Sequence, residues 1–141
     1  MKPEQLLTQK VARYLQTQYP RIIYKFDLAS DQKLSIFQSK RNSTLQGIWS
    51  KGSPDLSIFT AVGGYYGLFI ELKAEGKSPY KLNGELKKDK HLKNQDEFHQ
   101  KLRDEGYYVT FATGFDETKN ILDNYLKGNY KKSLTYKRIL L

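Results

Sequence analysis

The chain has 141 residues, with 24 Lys or Arg against 15 Asp or Glu and no cysteine. That length suits one domain with its own core, the lack of cysteine excludes disulfides and thiolate metal sites, and a net charge of +9 with a pI near 9.6 calls for an anionic partner, nucleic acid being the commonest. Neither an apolar signal core nor eighteen uninterrupted apolar residues occur, so a cytoplasmic protein is expected, with no membrane partner.

A helix is predicted over about 3–18, with an inward stripe of Leu7, Val11, Tyr14 and Leu15 and a stop at Pro20. Glu4 lies in its first turn, where it suits the helix dipole as well as it would suit a site. Arg21 to Leu28 reads as a strand. Ser30 to Lys51 reads as a polar loop with one or two short turns, carrying Lys33, Lys40, Arg41 and Lys51. Strands follow near 55–61 and 65–73, joined at Gly63-Gly64, a pair suited to a tight hairpin turn.

Residues 74–93 are rich in lysine, including Lys77, Lys87, Lys88 and Lys90, and read as an insertion. A helix near 92–105 places Leu92, Gln95, Phe98, His99 and Leu102 on one face by their spacing of three and four, and ends at Gly106. Tyr107 to Thr113 reads as a strand and Glu117 to Lys127 as a helix closed by Gly128. The domain is therefore taken as 1–128, followed by a basic tail over 129–141 whose apolar end, Ile139-Leu140-Leu141, is a candidate contact.

Three charges stand where buried strands should be apolar. In Leu68 to Lys73, Leu68, Ile70 and Leu72 share one face while Phe69, Glu71 and Lys73 share the other, so a carboxylate and an ammonium lie roughly 6.6 to 6.8 Å apart along the strand. Asp55, in Gly52-Ser53-Pro54-Asp55-Leu56, falls on the strand that the hairpin brings alongside. Alone, Asp55 is turn chemistry, and Glu71 with Lys73 is an edge-protecting pair. Together, charges in so apolar a setting are costly unless paired or bound to metal, and they mark a site.

Such a site suits metal-assisted phosphodiester cleavage. Asp55 and Glu71 supply the oxygens that a hard cation takes, the backbone carbonyl of Leu72 is a further candidate ligand, and Lys73 can orient water or offset developing charge. Gln95, inward on its helix, needs a partner: another core group, or a water or phosphate at the site. His91 and His99 have no metal-ligand spacing.

Pro54-Asp55 followed by Glu71-x-Lys73 resembles the PD-(D/E)XK nuclease motif. Gly52-x-Pro54-Asp55-Leu56, Ile70-Glu71-Leu72-Lys73, Gln95 and Leu102-x-x-x-Gly106-Tyr107, with an early Glu4 on the first helix, resemble the VRR-NUC branch over about residues 3–127. The resemblance implies an α/β fold, a mixed β-sheet flanked by helices in a restriction-endonuclease-like core, with the site along one open edge. It implies a DNA endonuclease using Mg²⁺ or Mn²⁺, with Asp55, Glu71 and Lys73 catalytic and Gln95 and Glu4 beside them. It further implies a stand-alone phage or bacterial protein, expected as a homodimer on branched or junction DNA in replication, recombination or repair. Lys40, Arg41, Lys51, Lys77, Lys87, Lys88 and Lys90 are the candidate phosphate contacts. The alternative is a non-catalytic basic DNA-binding module of a replication or packaging complex, which has no use for Asp55, Glu71 and Lys73 at this spacing.

Overall fold

The structure, a computed structural model, describes residues 1–27, 37, 38, 40, 41 and 52–133. In chain order the elements are α1 (Pro3–Gln18), β1 (Tyr24–Phe26), β2 (Leu56–Ile58), β3 (Leu68–Lys73), α2 (Lys90–Asp104), β4 (Tyr108–Thr113) and α3 (Gly114–Leu126). Lys33, Lys51 and Ile139 to Leu141 lie outside the described residues.

The four strands form one sheet in the order β1-β2-β3-β4. Gly63 and Gly64 both take positive φ, +65° and +90°, and close a hairpin in which Val62 and Tyr65 exchange backbone hydrogen bonds. β2 and β3 therefore run antiparallel, with Leu56 opposite Ile70. The helical crossover through α2 makes β4 parallel to β3, with Glu71 opposite Phe111.

The alternation in β3 sorts the molecule into layers. Leu68, Ile70 and Leu72 join Leu56, Ile58 and Ala112 under α1 and α3, which contribute Leu7, Val11, Leu15, Ile121, Leu122 and Tyr125. Each such fully buried aliphatic side chain contributes about 2 kcal/mol. The other face lies under α2, where His99 packs on the Phe111 ring at 4.6 Å. Glu71 is thus carried into the interior by the same period that buries its apolar neighbours.

Several boundaries differ from the sequence reading. β1 spans three residues rather than the eight of 21–28, because its partner among the described residues is the equally short β2. α2 begins two residues earlier than expected, since Asp89 caps it by accepting from the His91 and Leu92 amides at 2.8 and 3.1 Å. α3 begins at Gly114, whose φ of +77° turns the chain directly out of β4. The lysine-rich segment is a small ordered excursion, bridged between Tyr80 and Leu86 and pinned by the buried Pro79.

The free edge of β4 is blunted by side chains, as exposed strand edges generally are. Arg103 donates from Nε and Nη2 to the Val109 carbonyl, Thr110 Oγ1 donates to the Phe111 carbonyl, and the Thr113 amide donates to Glu117. Among the described residues no helix is long and apolar enough to cross a membrane.

Candidate active site

Asp55 is the residue immediately before β2, and Glu71 and Lys73 lie at the C-terminal end of β3. They meet across the two central strands rather than along an open edge, which corrects the expected location. The hairpin places β2 beside β3, so β1 and β4 are left as the outer strands. Asp55 Oδ2 accepts from the Leu72 amide at 2.9 Å, just past the last β2–β3 pair. An extended residue points its N–H and C=O to the same neighbour, so the Leu72 carbonyl also faces this side.

Gln95 reaches down from α2 and joins the two charges of β3. Its Nε2 donates to Glu71 Oε1 at 2.6 Å, and its Oε1 accepts from Lys73 Nζ at 3.0 Å. Lys73 Nζ is 4.0 Å from Glu71 Oε1 and 5.7 Å from the centre of the Phe111 ring. Glu71 and Gln95 are only 5% and 3% exposed. Among the described residues, the buried Glu71 Oε2 has no hydrogen-bond partner.

Burial raises the carboxyl pKa of both acids. For Glu71, desolvation and then the neighbouring Asp55 charge push it up to about 9, with Lys73 opposing. For Asp55, desolvation outweighs the Leu72 amide and the Lys73 charge. A buried carboxyl with an unsatisfied oxygen beside a half-buried one fits a divalent cation, whose charge offsets both causes of the shift. Among the described residues no three His, Asp or Glu side chains converge on one point. Two carboxylates and a carbonyl are the kind of oxygen donors that a hard divalent cation takes.

These groups open into a cavity of about 350 Å³ that is also lined by Glu4, Asp27, Gly52, Ser53 and His91. Glu4 reaches the cavity from the first turn of α1. Asp27 and His91 were missed by the sequence reading. Asp27 follows β1, and its amide donates to the Asp55 carbonyl at 2.7 Å; pairing β1 with β2 in register would have exposed it. His91 Nε2 lies 3.2 Å from Gln95 Nε2, one helical turn away, a spacing the sequence did contain.

Gly52 sets the approach of the Asp55 loop to α2. Its φ is +91°, and a Cβ there would stand 2.8 Å from the Asn94 carbonyl oxygen and 3.1 Å from Gln95 Cα. Of the candidate DNA contacts, Lys77, Lys87, Lys88 and Lys90 are exposed, as are Lys40 and Arg41 in a helical turn. His99 is fully buried beneath Phe111, and burial followed by the Arg103 and Lys73 charges lowers its pKa to about 4, so it is a neutral core imidazole.

The VRR-NUC domain model matches residues 1–116. The chain belongs to the VRR-NUC family. A solved structure titled as a VRR_NUC domain protein superposes with a TM-score of 0.59 at 26% identity, covering 91% of each chain. No curated protein sequence is significantly similar to it. The mixed sheet with flanking helices is accordingly a PD-(D/E)XK-like nuclease fold. The VRR-NUC assignment indicates a nuclease-type function, and with it DNA as partner and a divalent metal.

Proposed function

We propose that this VRR-NUC protein is an endonuclease that hydrolyses DNA phosphodiester bonds with Mg²⁺ or Mn²⁺ held by Asp55, Glu71 and the Leu72 carbonyl. The observation that carries the reading is the buried Glu71 beside the half-buried Asp55, with Glu71 Oε2 lacking a hydrogen-bond partner among the described residues. When bound, the cation supplies neutralising charge at the phosphate and a more acidic water.

The chain's own residues do the rest. Gln95 holds Glu71 Oε1 with one amide atom and Lys73 Nζ with the other, which fixes carboxylate and ammonium relative to each other. Lys73 lines the cavity, where its ammonium can meet an attacking water or a phosphate oxygen. Without a cation, the raised pKa leaves Glu71 holding its proton at neutral pH. Glu4 and His91, lining the same cavity, face the substrate side. The exposed Lys40, Arg41, Lys77, Lys87, Lys88 and Lys90, with Lys51, carry affinity through phosphate contacts.

The same reading extends to branched DNA as substrate, in replication, recombination or repair in the cytoplasm of a bacterium or a phage-infected host, and to a homodimer. One chain supplies one site, and paired cuts in a branched structure call for two. The domain is taken as 1–128 and the tail as 129–141. The test is cleavage of labelled linear and four-way junction DNA with and without Mg²⁺. Asp55→Ala, Glu71→Ala and Lys73→Ala should each lose most cleavage while retaining DNA binding. Undiminished cutting by Glu71→Ala overturns the assignment.

A further inference from the structure

A second cavity, of about 560 Å³, lies along the outer edge of β4 at the end of the sheet away from Lys73. Tyr107, Tyr108, Arg103 and Lys132 line it. Its size falls within the range of pockets that hold a nucleotide-sized ligand. Lys132 is drawn there because its amide donates to the Gly63 carbonyl at 2.7 Å, tying the chain after α3 to the hairpin turn. Tyr130, two residues earlier, stacks parallel on Tyr108 with ring centres 4.6 Å apart.

Among the described residues the lining holds aromatic and cationic side chains and no acid. No acidic residue forms an ion pair with Arg103 or Lys132 among the described residues. Gly106 brings the two chemistries together: a Cβ there would stand 3.2 Å from Lys132 Nζ and 2.7 Å from the Tyr66 ring. Tyr66 is 65% exposed and packs edge-on against Tyr107. An apolar peptide segment has no use for these cations, and a simple anion has none for the rings. A nucleotide uses both, its base against an aromatic side chain and its phosphate on the cations.

We propose that this cavity is a second DNA contact that takes a nucleotide of an unpaired strand. The inference rests on the nuclease reading and specifies its substrate: duplex at the Asp55–Glu71 site, single strand at Tyr107 and Lys132. Tyr107 precedes the β4 partner of Leu68 and Thr113 is the partner of Lys73, so the two sites are separated by about six strand positions, or roughly 20 Å. That is the length of about six base pairs at 3.4 Å each, which sets the distance from a duplex–single-strand boundary to the cut.

The test is fluorescence anisotropy of the full chain in EDTA, with a blunt 20-base-pair duplex and the same duplex carrying a six-nucleotide single-stranded extension. The wild type should bind the extended DNA about tenfold more tightly, the effect of one stacked base. Lys132→Ala and Tyr107→Leu should each reduce that preference to under threefold without changing affinity for the blunt duplex by more than twofold. Ser133→Glu, at an exposed position on the cavity wall, should do the same through charge alone and carries the test if Tyr107→Leu does not fold. An unchanged preference in folded Lys132→Ala and Ser133→Glu overturns the site. A preference that these variants abolish, in a protein that cuts no DNA with Mg²⁺ or Mn²⁺, supports the site and overturns the nuclease reading; no binding to either DNA overturns both.

Discussion

Gln95 holds Glu71 and Lys73 at once, its Nε2 donating to the carboxylate at 2.6 Å and its Oε1 accepting from the ammonium at 3.0 Å. A helix on one face of the sheet thereby fixes two side chains of a central strand. Partners that orient a metal-binding carboxylate are typically worth 10- to 100-fold in metal affinity or activity. Gln95→Ala should therefore lower single-turnover cleavage by about that factor while the Kd for DNA stays within twofold. Cleavage within twofold of wild type would reduce Gln95 to a packed core amide.

The metal-free protein should become less stable as pH rises. Glu71's folded pKa is raised by burial and by Asp55, so the folded state holds the proton that the unfolded chain releases near pH 4.3. The contribution is fully present below that unfolded pKa and is lost as pH rises through the folded value near 9. Thermal melts in EDTA should show Tm falling across this window, and Glu71→Gln should flatten the fall. Added Mg²⁺ should raise Tm more at pH 8 than at pH 5, since only an ionised carboxylate binds it.

Gly52→Ala should damage both stability and cleavage. A side chain at φ +91° is strained and would press on Asn94 and Gln95; strain of this kind costs about 1–3 kcal/mol. Urea melts should register that loss, and cleavage should fall even where the variant remains folded, because the Asp55 loop and Gln95 are forced apart. Full activity would show that the close approach is incidental.

A different cluster is purely a matter of stability. Tyr14 and Tyr19 both donate to Asp123 Oδ1, at 2.5 and 2.6 Å, joining α1 to α3 on the face opposite the site. Burial alone would raise the Asp123 pKa, but these hydroxyls and Lys119 outweigh it and hold it below the usual carboxylate range. Asp123→Ala should destabilise the fold by about 2–4 kcal/mol, with cleavage at 20 °C unchanged. In wild type the same contribution is present above the unfolded pKa and is lost as pH falls below about 4.

Replacing Lys87, Lys88 and Lys90 with Ala should weaken DNA binding and flatten the salt dependence by up to about three units of log Kd against log salt. All three are exposed at the start of α2 or just before it, near the cavity of the site but outside its lining. An unchanged slope would move the phosphate contacts to Lys40, Arg41 and Lys51.

Glu71, Lys73 and Gln95 were legible in the sequence because each breaks an apolar pattern, and a charge or amide there must have a partner; Asp55 was legible only through the hairpin that brings it alongside Glu71 and the Pro54-Asp55 motif. Asp27 and His91 break no pattern. Each is a single exposed polar residue, and only long-range pairing or the rotation of α2 brings it to the cavity. The hairpin followed from Gly63-Gly64. The short β1 did not, since the length of an edge strand is decided by its partner rather than by its own side chains. α3 starts three residues before the expected Glu117 for a local reason: the positive φ of Gly114 turns the chain straight into the helix.

Asp55 and Glu71 together are proposed to hold the cation that cleavage needs. Anomalous diffraction from crystals of the full chain soaked in Mn²⁺ tests it most directly. One strong peak is expected between the Asp55 and Glu71 carboxylates, within about 2.3 Å of an oxygen of each and close to the Leu72 carbonyl, with its loss in Glu71→Gln. Mn²⁺ bound elsewhere, or no peak there in a preparation that cuts DNA with Mn²⁺, would contradict it.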